Sequence, residues 1–154
     1  MNVFFDLNVL IDIGSGRAGI ATSHALYDHI RRSALHTGAF AAAGYTTLWY
    51  ILRPLIGAVR TRAALEEWRR RLTLLPFSER TAAVAHRLAL PDFEDACQAA
   101  TAFEGQCDVI TTRNVRDFAQ SPVPAITPEA LLAQLGRLPC AVSCVALILA
   151  EACS

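Results

Sequence analysis

Residues 92–118, DFEDACQAATAFEGQCDVITTRNVRDF, place a helix, a strand and a polar turn in direct succession. Small and apolar residues recur at helical spacing from Asp92 to Gly105, and Asp92 stands where a capping residue is expected. The segment CDVITT that follows is short and apolar, as buried strands are, and it leads into the polar run TRNVRD. A helix feeding a buried strand is the unit of parallel sheets, so this stretch predicts an α/β fold.

The rest of the chain repeats this alternation. Short apolar runs predict the strands NVFFD, GAFAAAG, LLPF, CDVITT and VPAIT. Longer periodic runs predict the helices SHALYDHIRRSAL, TTLWYILRPLIGAV, RTRAALEEWRRRLTLL, SERTAAVAHRLAL, DFEDACQAATAFEGQ and TPEALLAQLG. Apolar strands of this length with helical connections predict a parallel sheet that is covered by helices on both faces.

The 154 residues suffice for one domain with a sizeable core, which we assign to residues 1–136. Residues 137–154 are different, because they carry little charge and show no clear periodicity. This tail is too short to span a bilayer. An extra helix, a dimer surface and the product of a changed reading frame all remain open for it, and we assign it no function.

Charge and cysteine content limit the functions open to this chain. Fourteen acidic residues balance 14 basic ones, all of them arginine, so nucleic-acid binding would need a local patch. For the six arginines between Arg53 and Arg71, a solvated helix face is simpler than a nucleic-acid contact. Five cysteines without C-x-x-C or zinc spacing predict reduced thiols and a cytoplasmic location. We expect no signal peptide and no membrane partner.

Acidic and polar side chains occur where predicted strands end. Asp6 closes the first strand, and Asn114 and Asp117 follow the strand VITT. Asp95 lies in the first turn of the helix that feeds that same strand. Because loops at the carboxyl ends of parallel strands converge on one crevice, we expect these residues to share one edge of the sheet.

A group of carboxylates at one edge needs a cation. The start of a helix stabilises each nearby carboxylate by only about 0.3–1 kcal/mol, which does not hold several together. Oxygen ligands without histidine or cysteine at ligand spacing favour Mg²⁺ or Mn²⁺ over zinc. We expect Asp6, Asp95 and Asp117 to be metal ligands, with Asn114 assisting. Such sites typically hydrolyse phosphodiesters, so this group predicts catalytic residues.

Neighbouring charged residues have simpler expected roles. Asp92 is expected to cap its helix rather than bind metal. Glu94 is expected to be solvated, since it lies one helical step from Asp95, and Asp12 is expected to be a solvated loop acid. Arg113 and Arg116 stand beside the acids, and we expect them to grip the phosphate backbone of a substrate.

From Asn2 to Leu135 the chain resembles the PIN-domain proteins. The resemblance rests on FFDLNVLIDI, on the stretch 92–118 and on SPVPAITPEALL, which form a specific set in this order. It is similar to the branch that contains VapC-type toxin ribonucleases of bacterial toxin–antitoxin pairs. The resemblance implies a three-layer α/β/α sandwich around a central parallel sheet, and RNA cleavage that depends on Mg²⁺ or Mn²⁺.

The resemblance also implies roles position by position. Asp6 and Asp95 match the first and third metal acids of the family. The segment 113–118 matches the fourth-acid segment, in which Asn114 and Asp117 stand. Asn8 and Thr112 match polar positions that orient ligands or substrate.

One position departs from the family pattern. Relatives usually carry an acid in the helix after the second strand, in a stretch such as T-[DE]-x-x-Y, and here Thr47 stands at that place. Threonine can hydrogen-bond a metal-bound water but brings no charge, so a lower metal affinity is expected. Asp92 or Glu94 would compensate only if the start of their helix turned them inward.

These features favour an endoribonuclease that depends on Mg²⁺ or Mn²⁺, as the toxin of a type II toxin–antitoxin pair. Its partners would be an RNA substrate and an antitoxin protein, and the resemblance also admits a homodimer. The alternative is a PIN-fold module that binds nucleic acid or protein without cleavage, which Thr47 supports. A phosphatase of the haloacid dehalogenase type with Asp6 as nucleophile is disfavoured, because the second acid it needs is replaced by Asn8.

Overall fold

The protein is represented by a computed structural model that describes residues 1–16 and 21–137. The described residues form five strands, β1 (Asn2–Phe5), β2 (Thr37–Ala41), β3 (Thr73–Leu75), β4 (Val109–Thr111) and β5 (Ala125–Ile126). They also form seven α-helices, α1 (Leu7–Ser15), α2 (Ala21–Arg32), α3 (Gly44–Ile56), α4 (Ala58–Arg71), α5 (Glu79–Ala85), α6 (Phe93–Glu104) and α7 (Pro128–Arg137). A 3₁₀ helix, Val115–Phe118, follows β4.

The five strands form one parallel sheet in the order β3-β2-β1-β4-β5. Strand β1 is central, and its Phe4 is in register with Ala39 of β2 and Ile110 of β4. The chain first builds outward from β1 to β3, and then returns to the other side of β1 for β4 and β5. The strand order therefore reverses between β1 and β4, which is where ligands bind in open α/β sheets.

Helices cover both faces of this sheet, which confirms the predicted three-layer α/β/α sandwich. Side chains of β1 alternate between the two layers, because successive residues of a strand point to opposite faces. Phe5 packs with Leu10, Leu26 and Phe40 on one face. Phe4 packs in a second cluster on the other face, which includes Ile110 and buried residues of α6. Burying each such side chain contributes about 1.5–3 kcal/mol, so the β1 region is the centre of the core.

Helix α1 is absent from the elements that the sequence predicts. It starts directly after β1, because Asp6 ends the strand and caps the helix at once, its Oδ1 accepting from the Asn8 N–H at 3.3 Å. The helix ends at Gly16, whose φ of 64° closes the last turn in the left-handed conformation. Its nearly all-apolar sequence buries Val9 and Leu10 completely. Asp12 is consequently a helical residue and not the predicted loop acid.

Helix α7 is the last described element, and the predicted tail follows it. Within residues 1–16 and 21–137, no helix is both long and apolar enough to cross a membrane. Helix α7 reaches Arg137. The predicted apolar tail, 137–154, lies outside the described residues from position 138 onward, so its separation from the domain stays a prediction.

Candidate functional site

Asp6 stands at the point where the strand order reverses. Its backbone N–H donates to the Thr111 carbonyl of β4 at 3.0 Å, which continues the sheet by one residue beyond β1. The side chain is only 1% exposed, and its Oδ2 accepts a 2.7 Å hydrogen bond from the Thr112 hydroxyl. The carboxylate is therefore fixed between β1 and β4. The Asp6 backbone is bonded to Thr111 of β4, and its side chain is bonded to Thr112, the residue that follows β4.

Burial raises the pKa of Asp6 above its usual range. The groups that oppose this shift are neutral hydrogen-bond donors, namely Thr112, Asn8 and Gln98. Neutral donors stabilise a buried carboxylate less than an adjacent cation does. Asp6 is thus a buried acid whose charge is only partly compensated by its surroundings.

Gln98 is a component of this site that sequence reasoning missed. It is 3% exposed, and its Oε1 accepts a 3.0 Å hydrogen bond from the Leu7 N–H, one residue after Asp6. Helix α6 is thereby anchored to the start of α1. The available signal was spacing, because Gln98 lies three residues after Asp95 and therefore on the same side of the helix.

The first turn of α6 carries three acids with different roles. Asp92 caps the helix as predicted, since its Oδ1 accepts from the N–H groups of Glu94 at 2.7 Å and Asp95 at 3.3 Å. Burial raises the pKa of Asp95 to about 6, and the charges of Asp6, Asp92 and Asp117 add to this shift. Asp95 therefore feels the charges of the two other predicted metal ligands, Asp6 and Asp117.

The turn after β4 is connected to Asp6 through a single hydroxyl. Thr112 Oγ1 donates to Asp6 and accepts a 3.1 Å hydrogen bond from the Asn114 N–H. The 3₁₀ helix then starts, with the Asp117 N–H donating to the Asn114 carbonyl at 3.0 Å. Phe118 is buried and anchors this turn in the core. Asn114 is exposed and Asp117 half-buried, so both are presented at the edge where Asp6 lies.

Thr47 and Glu94 line one cavity beside Asp6. The cavity measures about 260 Å³, and Leu7 and Gln98 also form its wall. Burial raises the pKa of Glu94, and the charges of Asp92 and Asp6 raise it further. Glu94 is exposed, as predicted, and it also lines this cavity.

Two arginines were expected to contact a phosphate, and the structure separates them. Arg113 Nη1 forms a 2.6 Å ion pair with Asp12 Oδ2, in which the Asp12 side chain is 9% exposed and that of Arg113 54%. This pair raises the pKa of Arg113. The prediction of Asp12 as a solvated acid is wrong, because α1 buries it against a cation. Arg116 is exposed and forms no ion pair with any described residue.

The side chains around Asp6 carry oxygen atoms, which is the type of ligand that a hard divalent cation prefers. Within residues 1–16 and 21–137, no three His, Cys, Asp or Glu side chains stand close enough together to hold a metal ion. The groups around Asp6 are nevertheless all oxygen donors, which Mg²⁺ and Mn²⁺ prefer. Asp95 and Asp117 are half-buried, so neither is sealed in the core.

A further cavity lies on another surface, between α3 and α4. It measures about 590 Å³ and is lined by Trp49 and Tyr50 among others, with the Arg62 guanidinium 5.7 Å from the centre of the Trp49 ring. Several neighbouring arginines are already paired within α4, as a solvated helix face would be: Arg69 and Arg70 with Glu66, and Arg71 with Glu67. None of these groups lines the cavity that contains Thr47 and Glu94.

Comparisons with known proteins agree with this architecture. A family model described as PIN domain matches residues 2–116. The VapBC2 complex from Rickettsia felis, bound to a DNA fragment from its promoter, matches with a TM-score of 0.66 at 14% identity, over 82% of this chain and 98% of that chain. A toxin–antitoxin complex from Klebsiella pneumoniae matches with a TM-score of 0.60 at 26% identity, over 82% and 97%. No curated protein matches the sequence significantly.

Proposed function

Because the chain belongs to the PIN domain family, we propose that it is a Mg²⁺- or Mn²⁺-dependent endoribonuclease, the toxin of a type II toxin–antitoxin pair. The observation that carries this proposal is Asp6, buried at the switch point of the sheet with only neutral donors around it. The charges of Asp6 and Asp117 both help to raise the pKa of Asp95. A buried carboxylate in a cleft with further acids nearby is typical of a functional site.

In this proposal Asp6, Asp95 and Asp117 hold the metal ion. When bound, the ion would act as a Lewis acid toward the scissile phosphate and the attacking water. Thr112 keeps the Asp6 carboxylate in one orientation through its 2.7 Å hydrogen bond. Asn8, whose side chain is exposed beside Asp6, orients substrate or solvent in the same crevice.

The substrate contacts follow from which polar groups are free. Arg113 is engaged by Asp12, so it holds the turn in place and does not grip a phosphate. Arg116 is exposed on the 3₁₀ helix, next to Asp117, and is the guanidinium that remains for the RNA backbone. Asn114 offers an exposed amide at the start of the same turn, where it assists in positioning the RNA.

The partner in this proposal is an antitoxin protein, and the location is the cytoplasm. Support comes from the similar structures, several of which are complexes of VapBC or FitAB proteins. The second candidate function is a PIN-fold binding module without cleavage, with nucleic acid or protein as its partner. Two observations favour it, namely Thr47 at the place of an acid and the lack of an assembled ligand group among the described residues.

The deciding experiment is titration of Mg²⁺ and Mn²⁺ into the purified protein by calorimetry, with Asp95→Asn as the matched variant. The endoribonuclease proposal predicts binding that Asp95→Asn loses, and cleavage of a fluorogenic single-stranded RNA by the wild-type protein alone. Substituting asparagine keeps the side-chain size while removing a charge. No binding at millimolar metal, together with no cleavage, would select the binding module.

A further inference from the structure

The cavity of about 260 Å³ beside Asp6 has a mostly apolar wall. Ala41, the last residue of β2, and Leu7, which directly follows Asp6, both line it. Gln98 lines it as well, and its Oε1 accepts from the Leu7 N–H at 3.0 Å. Apolar cavities with a few polar groups at the carboxyl ends of parallel strands are typical ligand sites. This cavity is therefore a candidate substrate pocket next to the buried acid.

The lining of the cavity does not suit a phosphate group. The chain contains no lysine, and no arginine is among the described residues that form the wall. The charged side chain that these residues do include is the carboxylate of Glu94, which repels an anion. An uncharged ligand with an apolar body therefore fits this cavity better than the backbone of a nucleic acid does.

Three side chains of the wall are suited to a flat, polar-edged ligand. Among the described residues, the Glu94 carboxylate makes no hydrogen bond and no ion pair, since the Asp92 cap engages only the backbone N–H of Glu94. Phe77 is 36% exposed, so its ring is open for stacking. Thr47 enters the same cavity from α3 with a neutral hydroxyl, so position 47 adds no second negative charge beside Glu94.

We infer that this cavity binds a guanine base of single-stranded RNA, with the Glu94 carboxylate accepting from the Watson–Crick edge of the base. The inference rests on the proposed function, which makes RNA the substrate. An ionised carboxylate only accepts hydrogen bonds, and it does so through two oxygens. Guanine presents two neighbouring donors on this edge, the ring N1–H and the N2 amino group. Adenine and cytosine instead place an acceptor nitrogen beside their amino group, which a carboxylate repels.

The same match limits the form of RNA that can enter. The Watson–Crick edge of a base is occupied in a duplex, whereas bases in loops and single strands expose it and stack on aromatic side chains. Glu94 would read the edge and Phe77 would stack on the ring, while the phosphates stay outside the cavity. The cavity therefore assigns the base preference of the site to α6 and to the segment after β3.

The first test measures the binding of guanosine, inosine and adenosine to the purified protein by saturation-transfer NMR. Nucleosides carry no phosphate, and chelator is present, so the measurement depends neither on a metal ion nor on cleavage. Guanosine should bind about 5- to 150-fold more tightly than adenosine, the usual range for a bidentate contact to a base. Inosine, which lacks the amino group, should bind with an intermediate affinity.

The matched variants are Glu94→Gln and Glu129→Gln. Each glutamate is the second residue of its helix, α6 or α7, and both are exposed, so the two variants change the helix start equally. Glutamine at position 94 keeps one acceptor but replaces the other by a donor. Glu94→Gln should therefore lose the preference for guanosine over adenosine, and Glu129→Gln should keep it.

The outcomes separate this inference from the proposed function. Equal binding of guanosine and adenosine by the wild type, or an unchanged preference in Glu94→Gln, would overturn the inference. Cleavage of single-stranded RNA in Mn²⁺ is measured separately on the same protein. RNA cleavage without a guanosine preference would leave the proposed function intact. A guanosine preference that Glu94→Gln removes, without any RNA cleavage, would support the base site and select the binding module.

Discussion

Helix α1 carries a buried acid near each end, and the protein treats the two acids differently. Asp6, at the start, is 1% exposed and is surrounded by neutral donors. Asp12, near the end, is 6% exposed and contacts Arg113 Nη1 at 2.6 Å. A buried carboxylate beside a guanidinium is compensated within the fold, whereas one beside hydroxyl and amide groups is not.

Both acids hold the same segment of chain. Asp6 accepts from Thr112 and Asp12 from Arg113, two consecutive residues after β4. The contact at Asp12 is complete within the folded chain, so its role is structural. The contact at Asp6 leaves charge uncompensated, which costs stability and is a usual feature of ligand sites. The difference teaches that burial alone does not single out a candidate functional acid, whereas burial without a neighbouring cation does.

The largest expected effect comes from Asp6→Asn. This substitution removes the uncompensated charge and keeps an oxygen that accepts from Thr112. We expect RNA cleavage to fall about 1000-fold or more, since a bound metal ion typically lowers the activation free energy by several kcal/mol. Growth arrest on expression of the wild-type chain alone should disappear with this variant. The free energy of unfolding in chelator, from urea titration, should not decrease, because a buried charge is lost.

Asp12→Asn is the matched control within the same helix. It replaces a carboxylate by a carboxamide, as Asp6→Asn does, but about one and a half turns further along α1 and away from the crevice. Its cleavage activity should stay far above that of Asp6→Asn. Equal loss of cleavage in the two variants, or wild-type cleavage by Asp6→Asn, would contradict the distinction drawn between the two acids.

The second effect concerns the Asp12–Arg113 pair itself. Breaking a buried ion pair costs about 3–5 kcal/mol, and the 54% exposure of the Arg113 side chain reduces this, so we expect Arg113→Ala to lower the free energy of unfolding by about 1–3 kcal/mol. The measurement is urea unfolding of both single variants and of the double variant. Their effects should be strongly non-additive, because each variant breaks the same pair.

The outcome also decides between two roles of Arg113. If Arg113 gripped the RNA phosphate, its substitution would raise KM without lowering stability, and Asp12→Asn would leave KM unchanged. If Arg113 holds the turn, both single variants should lower stability and alter cleavage in the same way. Additive effects on unfolding would therefore contradict the structural role that the 2.6 Å contact indicates.

The sheet was largely predictable from the sequence. Its strands are short apolar runs between polar turns, and the predicted parallel order with helices on both faces is confirmed. Helix α1 was missed for two reasons. Its residues are apolar on nearly every side, which hides the helical period, and no loop separates the helix from β1. The PIN-domain resemblance is confirmed as well, since a PIN domain family model matches residues 2–116.

The site was predictable only in part. Because the carboxyl ends of parallel strands meet at one edge, the nearness of Asp6 to the turn after β4 was predictable, and the hydrogen bond from Thr112 to Asp6 joins them. The grouping of Asp6, Asp95 and Asp117 as metal ligands stays a prediction. The pairing of Asp12 with Arg113 was not predictable, since the two residues are 101 positions apart and neither carries a local signal for the other. The hydrogen bond between Gln98 and the Leu7 N–H was not predictable either, since the two residues are 91 positions apart.

The smallest expected effect comes from removing the Thr112 hydroxyl, which connects the end of β4 to Asp6 at the end of β1. Thr112→Val keeps the shape of the side chain but removes the donor to Asp6 and the acceptor for the Asn114 N–H. Thr112→Ser keeps both hydrogen bonds and serves as the control. We expect Thr112→Val to lower the free energy of unfolding by about 1 kcal/mol, the usual worth of a neutral hydrogen bond.

Metal binding should respond more strongly than stability in the same pair of variants. Without the Thr112 hydroxyl, Asp6 loses the donor that orients its Oδ2, and Asn114 loses the anchor that sets the turn carrying Asp117. We expect the dissociation constant for Mn²⁺ to rise about 10-fold or more in Thr112→Val and to stay near the wild-type value in Thr112→Ser. Calorimetry with both variants measures this directly. If valine and serine behaved alike, the orientation of Asp6 would not depend on Thr112, and the contrast between a hydroxyl-held acid and a guanidinium-held acid would lose its basis.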